Sequence, residues 1–402
     1  MTKIFNLPRD LEEEVLCRIP LTSLRTVRST CKKWNTLSKY ESFAKKYLGD
    51  QAKVAERERE FMVVMMMNFR VYLMRVNLQN NVESSCIKRE AELISLGDEV
   101  DISQVFHCEG LLLCISITKD KTRLVVWNPY WGHTRTIELT HNLQIIDRYM
   151  YALGYNKSSK SQARPTGQAI LLRGIKICWT GTGKSHKILR FITYWDPNFE
   201  EFKIYDFNSD SWRVLDVTPD WTISHIYHGV SLKGNAYWFA NKKYSETRRI
   251  DHFFLVCFDF TRETFGPLLP LPFEFAVSKD AMSVSSFREE QLAVLYQPWD
   301  TLWIEIWITS KIEPNTLSWN SKVFLLVSLK QLFGPQFHFY LGSFFIDEEK
   351  KVVVVFDKDY NDRRNIAYII GVDGSFKAVD LGESAYAYPL VCSYVPSIVQ
   401  LN

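Results

Sequence analysis

The sequence predicts a mainly β protein that begins with a small helical module. Residues 4–60 have helical periodicity, whereas from Phe61 onward short runs of Val, Ile, Phe, Tyr and Trp alternate with Gly, Asn, Asp and Pro. The chain has 402 residues, of which 46% are hydrophobic and 24% are charged, an ordinary globular composition. This length predicts two domains, or a small module beside one large unit.

The first helix is predicted to begin at Asp10, whose carboxylate can cap the first turn. Its apolar residues share one face: Leu11, Val15, Leu16 and Ile19. Pro20 has no amide hydrogen and should end the helix. The pattern therefore indicates a short amphipathic helix.

A second helix is predicted to follow, capped by Thr22 or Ser23. Its apolar residues recur at steps of three and four and form one narrow stripe: Leu24, Val27, Cys31 and Trp34. Its basic residues form a separate face: Arg25, Arg28, Lys32 and Lys33. We expect this face to be solvated, or to be the rim of a contact with an acidic protein. Residues 41–60 indicate a third, strongly charged helix.

The strands are predicted from eleven short runs that are rich in β-branched and aromatic residues. No regular alternation with helices of 10–15 residues accompanies them, which favours antiparallel sheets over a parallel α/β fold. The runs are residues 69–78, 111–117, 123–127, 187–194, 202–207, 236–240, 253–260, 292–296, 302–309, 322–327 and 352–356.

A degenerate repeat runs through these strands. An aromatic residue near a strand end precedes a polar turn and a return strand at Trp127, Tyr205, Phe258, Trp307 and Phe356, at intervals of 78, 53, 49 and 49. A period near 50 residues is typical of a kelch-like β-propeller blade. The long first interval predicts an insertion around residues 157–183. The alternative is a β-sandwich whose spacing is accidental.

Two segments contain residues typical of phosphate-binding or metal-binding sites, but their spacing does not fit such a site. Residues 181–185 read Gly-Thr-Gly-Lys-Ser, yet Cys178 stands where a phosphate-binding loop needs its first glycine. His225 and His228 are separated by two residues, so on a strand they would face opposite sides. No zinc-binding spacing occurs in the sequence. We therefore expect no catalytic residue, no metal and no cofactor.

Charge and composition limit the environment. The net charge is +3, too weak a basic excess to predict a nucleic-acid partner. No apolar run approaches the roughly 18 residues of a membrane span, and no secretory signal is visible, so we expect a cytoplasmic or nuclear protein. The eight cysteines include no Cys-x-x-Cys pair, which favours free thiols over a disulfide framework.

The helical segment poses a physical problem, because about 40 residues rarely bury enough surface to fold alone. Its apolar stripe must therefore face either the β domain or another protein.

The helical segment contains short stretches of sequence that are characteristic of a known family. Residues 7–20 read Leu-Pro-Arg-Asp-Leu-Glu-Glu-Glu-Val-Leu-Cys-Arg-Ile-Pro, and residues 31–37 read Cys-Lys-Lys-Trp-Asn-Thr-Leu. Together with Ser-Leu-Arg at 23–25 and Val-Arg at 27–28, they closely resemble the F-box.

The rest of the chain resembles the plant F-box-associated interaction domain. The matching stretches include Val-Val-Trp-Asn-Pro at 125–129, Ile-Tyr-Asp-Phe-Asn-Ser-Asp-Ser-Trp at 204–212 and Gly-Val-Ser-Leu-Lys-Gly-Asn-Ala-Tyr-Trp at 229–238. We expect an F-box over residues 1–48, a charged helical linker over 49–60 and the associated β domain over 61–402. The chain departs from true kelch repeats, because it contains no Gly-Gly pair.

The resemblance implies a non-catalytic subunit of an SCF-type ubiquitin ligase. The F-box would dock on a Skp-type adaptor that binds a cullin scaffold, and the β domain would capture a protein target. A small-ligand sensor and a non-ligase F-box protein that binds only the adaptor are the alternatives. Trp34 and Leu16 are the expected anchors among the residues carried over for adaptor binding: Leu7, Pro8, Leu11, Val15, Leu16, Ile19, Pro20, Leu24, Val27, Cys31 and Trp34.

Overall fold

The protein is described here from a computed structural model. The structure describes residues 7–58, 60–78, 87–92, 101–117, 121–132, 134–140, 149–157, 170–172, 175–177, 184–193, 201–224, 226–243, 253–274, 280–299, 301, 303–320, 324–328, 339, 342–359, 363–383 and 389–399.

Four helices form the N-terminal module: α1 (Arg9–Cys17), α2 (Leu21–Thr30), α3 (Lys32–Leu37) and α4 (Glu41–Glu58). Prolines stand at the N-caps of α1 and α2, so the predicted caps at Asp10 and at Thr22 or Ser23 are wrong. The fixed extended backbone of Pro8 and Pro20 aims each prolyl carbonyl into the first turn, where it accepts two backbone hydrogen bonds of 3.0–3.1 Å.

The predicted second helix is in fact two helices. Cys31 has an extended backbone, with φ −144° and ψ 119°, and it separates α2 from α3. The expected continuous stripe from Leu24 to Trp34 is therefore wrong, because its last residue lies on a helix of different direction.

From Glu60 to Ser393 the regular elements that the structure describes are β strands. In chain order they are β1 (Glu60–Met67), β2 (Arg70–Asn77), β3 (Ile87–Glu92), β4 (Ile102–Cys108), β5 (Leu111–Ile117), β6 (Lys121–Trp127), β7 (Thr134–Thr140), β8 (Met150–Lys157), β9 (Ile170–Leu172), β10 (Ile175–Ile177), β11 (Lys184–Ile192), β12 (Glu201–Asp206), β13 (Ser211–Val214), β14 (Trp221–Thr222), β15 (Val230–Leu232), β16 (Asn235–Lys242), β17 (Phe253–Asp259), β18 (Thr264–Phe265), β19 (Leu269–Pro270), β20 (Ala281–Phe287), β21 (Gln291–Gln297), β22 (Trp303–Glu313), β23 (Thr316–Trp319), β24 (Leu325–Ser328), β25 (Ser343–Asp347), β26 (Val352–Asp359), β27 (Arg364–Gly371), β28 (Phe376–Glu383) and β29 (Leu390–Ser393).

Six antiparallel sheets are arranged as the blades of a β-propeller, which confirms the predicted kelch-like propeller and excludes the sandwich. Blade 1 is β29-β1-β2-β3, blade 2 is β4 to β7, and blade 3 is β8-β11-β12-β13. Blade 4 is built from β14 to β19, blade 5 from β20 to β24, and blade 6 from β25 to β28. Strands β9 and β10 pair with each other.

The ring is closed by the two ends of the β domain. The C-terminal strand β29 pairs with β1, with Val64 opposite Cys392, and so completes blade 1. Because the closing strand comes from the other end of the chain, backbone hydrogen bonds within blade 1 hold the two ends of the β domain together.

Four of the five predicted repeat anchors occupy equivalent strands of their blades. Trp127, Tyr205, Phe258 and Trp307 lie on β6, β12, β17 and β22, each the third strand of its blade. Phe356 lies on β26, the second strand of blade 6, so that anchor is out of register. The long first interval contains the connection between β8 and β11, and most of residues 157–183 lie outside the described residues.

The core lies mainly between neighbouring blades. The cluster between blades 1 and 6 includes Met65, Met67 and Met74, so these methionines fill the core. The cysteines at 17, 31, 108, 114, 257 and 392 are free thiols, as predicted, whereas Cys86 and Cys178 lie outside the described residues.

Candidate adaptor-binding surface

Helix α1 leaves part of its apolar face in solvent. Leu11 is 46% exposed and Val15, one turn later, is 40% exposed. Pro8 is exposed and Leu7 is half-buried just before the helix. These four residues, Leu7, Pro8, Leu11 and Val15, form what we call the α1 strip, an apolar surface that is partly open to solvent.

Charged pairs lie beside the α1 strip. Glu13 accepts a hydrogen bond from Arg9 at 3.2 Å and is 3.5 Å from Lys46 on α4. Glu14 pairs with Arg18 at 2.5 Å. An apolar centre with charged neighbours resembles the anatomy of a protein–protein interface.

Leu16 and Leu24 do not lie on this surface. Leu16 is 0% exposed and Leu24 is 1% exposed, and both belong to a cluster that also contains Val64 of β1 and Ile398 of the C-terminal tail. The structure places the predicted anchor Leu16 beneath the surface, where its side chain is covered by its own chain. Leu16 and Leu24 support the surface from beneath.

The remaining residues predicted to bind the adaptor differ in exposure. Ile19, Val27 and Trp34 are half-buried and pack against the same cluster, while Cys31 is half-buried and Pro20 is exposed. The predicted set thus divides by accessibility, because one side of the module faces its own propeller and the other faces solvent.

Arg28 joins the module to the propeller. It is 7% exposed, and its guanidinium donates to the Ser38 hydroxyl at 2.8 Å and to the Tyr130 carbonyl of blade 2. The guanidinium also lies 4.7 Å from the centre of the Tyr130 ring. The expectation of a solvated or rim position is wrong for Arg28, since its hydrogen bonds and ring contact compensate for its burial.

Aromatic side chains complete this junction. The Tyr130 hydroxyl donates to the Ser38 carbonyl at 3.1 Å, and the Tyr47 hydroxyl donates to the Ile19 carbonyl at 2.7 Å. The two rings are 5.6 Å apart, and burial raises the pKa of both phenols well above its usual value. No local sequence pattern predicts this contact, because Arg28 and Tyr130 are 102 positions apart.

The C-terminal tail is held against the same junction. The Asn128 side chain donates to the carbonyls of Ser397 and Val399 at 3.0 and 2.8 Å, and the Trp131 indole donates to Ile398 at 3.0 Å. Helices, blade 2 and tail therefore form one packed unit.

The part of the Gly-Thr-Gly-Lys-Ser segment that the structure describes has a structural role. Lys184 begins β11 and pairs with Glu109 at 2.5 Å, while residues 178–183 and His225 lie outside the described residues. Among the described residues no group of His, Cys, Asp and Glu side chains is placed to hold a metal. None of the helices described could span a membrane.

Comparison with known proteins agrees with this architecture. The F-box domain model matches residues 4–46, and the F-box associated beta propeller domain model matches residues 62–401. The chain therefore belongs to the F-box proteins that carry an associated β-propeller.

Its relatives are plant proteins. It is 70% identical to F-box protein At3g19470 of Arabidopsis thaliana, over 99% of this chain and 100% of that protein. It is 58% identical to the putative F-box protein At3g24580 and 51% identical to the F-box/kelch-repeat protein At3g16740 of the same plant, over 99% and 100% of this chain and all of each relative. F-box domains typically bind Skp-type adaptors, and F-box proteins generally act as substrate adaptors rather than enzymes.

Proposed function

We propose that this protein is the substrate-recognition subunit of a cullin-based SCF-type ubiquitin ligase in the cytosol or nucleus. The observation that carries the proposal is the α1 strip. Leu11 and Val15 remain exposed on a module whose other large apolar side chains are mostly covered by its own propeller. Exposed apolar groups with charged neighbours favour a protein partner.

The far end of the propeller is the proposed target side. Strand β21 starts beside α4 and runs about 20 Å across the blade, and the turn after it carries Trp299 away from the helices. Trp299 is 52% exposed, and Trp303 and Leu326 on the same blade are 41% and 54% exposed. Tryptophan is enriched at interface hot spots, so this corner of blade 5 is suited to capture a protein.

The mechanism would be positioning. The adaptor would hold the helices, the far end of the propeller would hold the target, and the packed junction around Arg28 would keep the two at a fixed separation. Fixing a target near a ubiquitin-charged enzyme raises its effective concentration, so this chain would need no reactive group of its own.

One affinity purification tests both surfaces. Tagged chain is purified from plant cells with proteasome inhibition, and adaptor, cullin and enriched proteins are quantified. We expect Leu11→Asp with Val15→Asp to reduce adaptor and cullin at least tenfold while leaving target recovery intact. Trp299→Ala with Trp303→Ala should do the reverse.

Val214→Asp is the matched control, because Val214 is 69% exposed on β13 and belongs to neither surface. Full adaptor recovery with the α1 variant would overturn the adaptor assignment. Recovery of adaptor without cullin from the wild-type chain would favour a non-ligase F-box protein.

A further inference from the structure

A cavity of about 140 Å³ lies at the seam between the helical module and the propeller. Helix α4 contributes one wall, and blades 1, 5 and 6 with the tail contribute the others. The lining is mostly apolar and includes Leu48, Ala52, Phe61, Phe287, Phe345 and Val395. It is separate from both the α1 strip and the blade 5 tryptophans.

Two polar groups in the lining lack partners. Tyr394 is 3% exposed, and its hydroxyl has no hydrogen-bond partner within the described part of the chain. A buried hydroxyl without a partner is costly, so a group that could bond it would be favoured there. The carboxyl of Glu289, which is half-buried, forms no hydrogen bond or ion pair with any described residue.

The charges that line the cavity leave a negative excess. Glu60 is neutralised by Arg75 at 2.7 Å, and Arg288 is paired with Glu348. Glu289 therefore supplies the one unbalanced charge among the described lining residues. Burial raises the pKa of its carboxyl to about 7, and the nearby carboxylates of Glu109 and Glu290 act in the same direction.

The turn that carries Glu289 has an uncommon backbone. Arg288 and Glu289 both have positive φ, 54° and 55°. The corresponding hairpins of blades 2 and 4 have two-residue turns that end in Gly110 and Gly234, where glycine avoids this cost, whereas the blade 5 turn has three residues, 288–290. The blade 5 turn contains no glycine, and the side chain of its middle residue, Glu289, lines the cavity.

Apolar cavities of about 150 Å³ can hold a benzene ring. We infer that the seam cavity binds a small aromatic amine, whose ring would pack among the phenylalanines while its ammonium group pairs with Glu289. Such a ligand would contact both the helical module and the propeller. It would therefore stabilise their association, and this inference does not depend on the ligase proposal.

The test uses the full chain, with benzylamine as probe and benzyl alcohol as its neutral counterpart. Binding is measured by ligand-observed NMR at pH 8, where the Glu289 carboxyl is ionised. We expect benzylamine to bind at least tenfold more tightly than benzyl alcohol and to raise the unfolding midpoint. Glu289→Gln should remove that preference.

Two further variants locate the site. Glu290→Gln is the matched control, because Glu290 belongs to the same turn but pairs with Lys233 at 3.0 Å, and it should leave binding unchanged. Ala52→Leu should fill the cavity and weaken both probes at least tenfold. Equal affinity for the two probes, or unchanged binding to Ala52→Leu, would overturn the inference. Loss of adaptor capture by Ala52→Leu with no probe binding to the wild-type chain would assign the cavity to a protein interface instead.

Discussion

The helical module and the propeller bury their apolar side chains in different ways. The clusters between blades, such as the one that contains Phe344 and Val355, include no residue of the helices among their described members. The module's buried residues, including Leu16 and Phe43, share one cluster with β1, blade 2 and the tail. The propeller therefore forms its core from its own residues, whereas the core of the module is completed by residues of the propeller and the tail. A module that is stabilised on one side can leave its other side apolar for a partner.

The largest expected effect follows from separating the two regions. A peptide of residues 1–58 loses the propeller surfaces that cover Leu16, Leu24 and Tyr47. We expect the peptide to have less than about a third of the helix content that the same residues have in the full chain, because short helices without tertiary packing are marginal in water. Circular dichroism of the peptide and of the full chain measures this. Cooperative thermal unfolding of the isolated peptide would contradict the comparison.

The second effect concerns the junction itself. Arg28→Met removes a buried donor and leaves Ser38 and the Tyr130 carbonyl without it. We expect the free energy of unfolding to fall by about 3 kcal/mol, since hydrogen bonds to charged groups are worth about 1.5–3 kcal/mol each. Urea unfolding gives the value.

Lys32→Met is the control for this variant, because Lys32 is an exposed neighbour of the same charge. It should change the stability by less than about 0.5 kcal/mol. Equal losses in the two variants would mean that Arg28 does not join the module to the propeller.

The third effect is a pH dependence that arises in the propeller, since none of the eight histidines lies in the first 58 residues. Burial lowers the pKa of His107 and of His186 to about 4. The Nε2 atom of His107 accepts a hydrogen bond from the Gly110 amide at 2.9 Å, which protonation would break. Because the folded state favours the neutral rings, their contribution is complete above pH 6.5 and is lost as the pH falls to about 4. Each ring accounts for up to about 3 kcal/mol.

The histidine contribution is measured as the difference in unfolding free energy between the wild-type chain and a histidine variant. Glu289 titrates in the same range with the opposite sign, because its raised pKa favours the folded state as the pH falls. We therefore compare wild-type chain with His186→Phe by urea unfolding between pH 8 and pH 4.5. The variant should lose less stability on acidification, and parallel curves would contradict the assignment.

Much of the fold could be predicted because its signals are local. The strand runs, the spacing near 50 residues and the F-box residues all repeat or occur within short windows of sequence. The misplaced anchor at Phe356 illustrates the limit, since second and third strands of a blade are both rich in β-branched and aromatic residues and strand pairing distinguishes them.

By itself, the sequence determined that an amphipathic helical module precedes a repeated antiparallel β domain, and which residues of the module are apolar. Only the tertiary structure decided which of those residues face outward. Leu11 and Leu16 look equivalent in the sequence, yet one is exposed and the other is covered by the propeller. Likewise Arg28 looks like a surface residue until Tyr130 meets it from 102 positions away. Periodicity defines a face of a helix, but the partner that covers it is set by packing between distant parts of the chain.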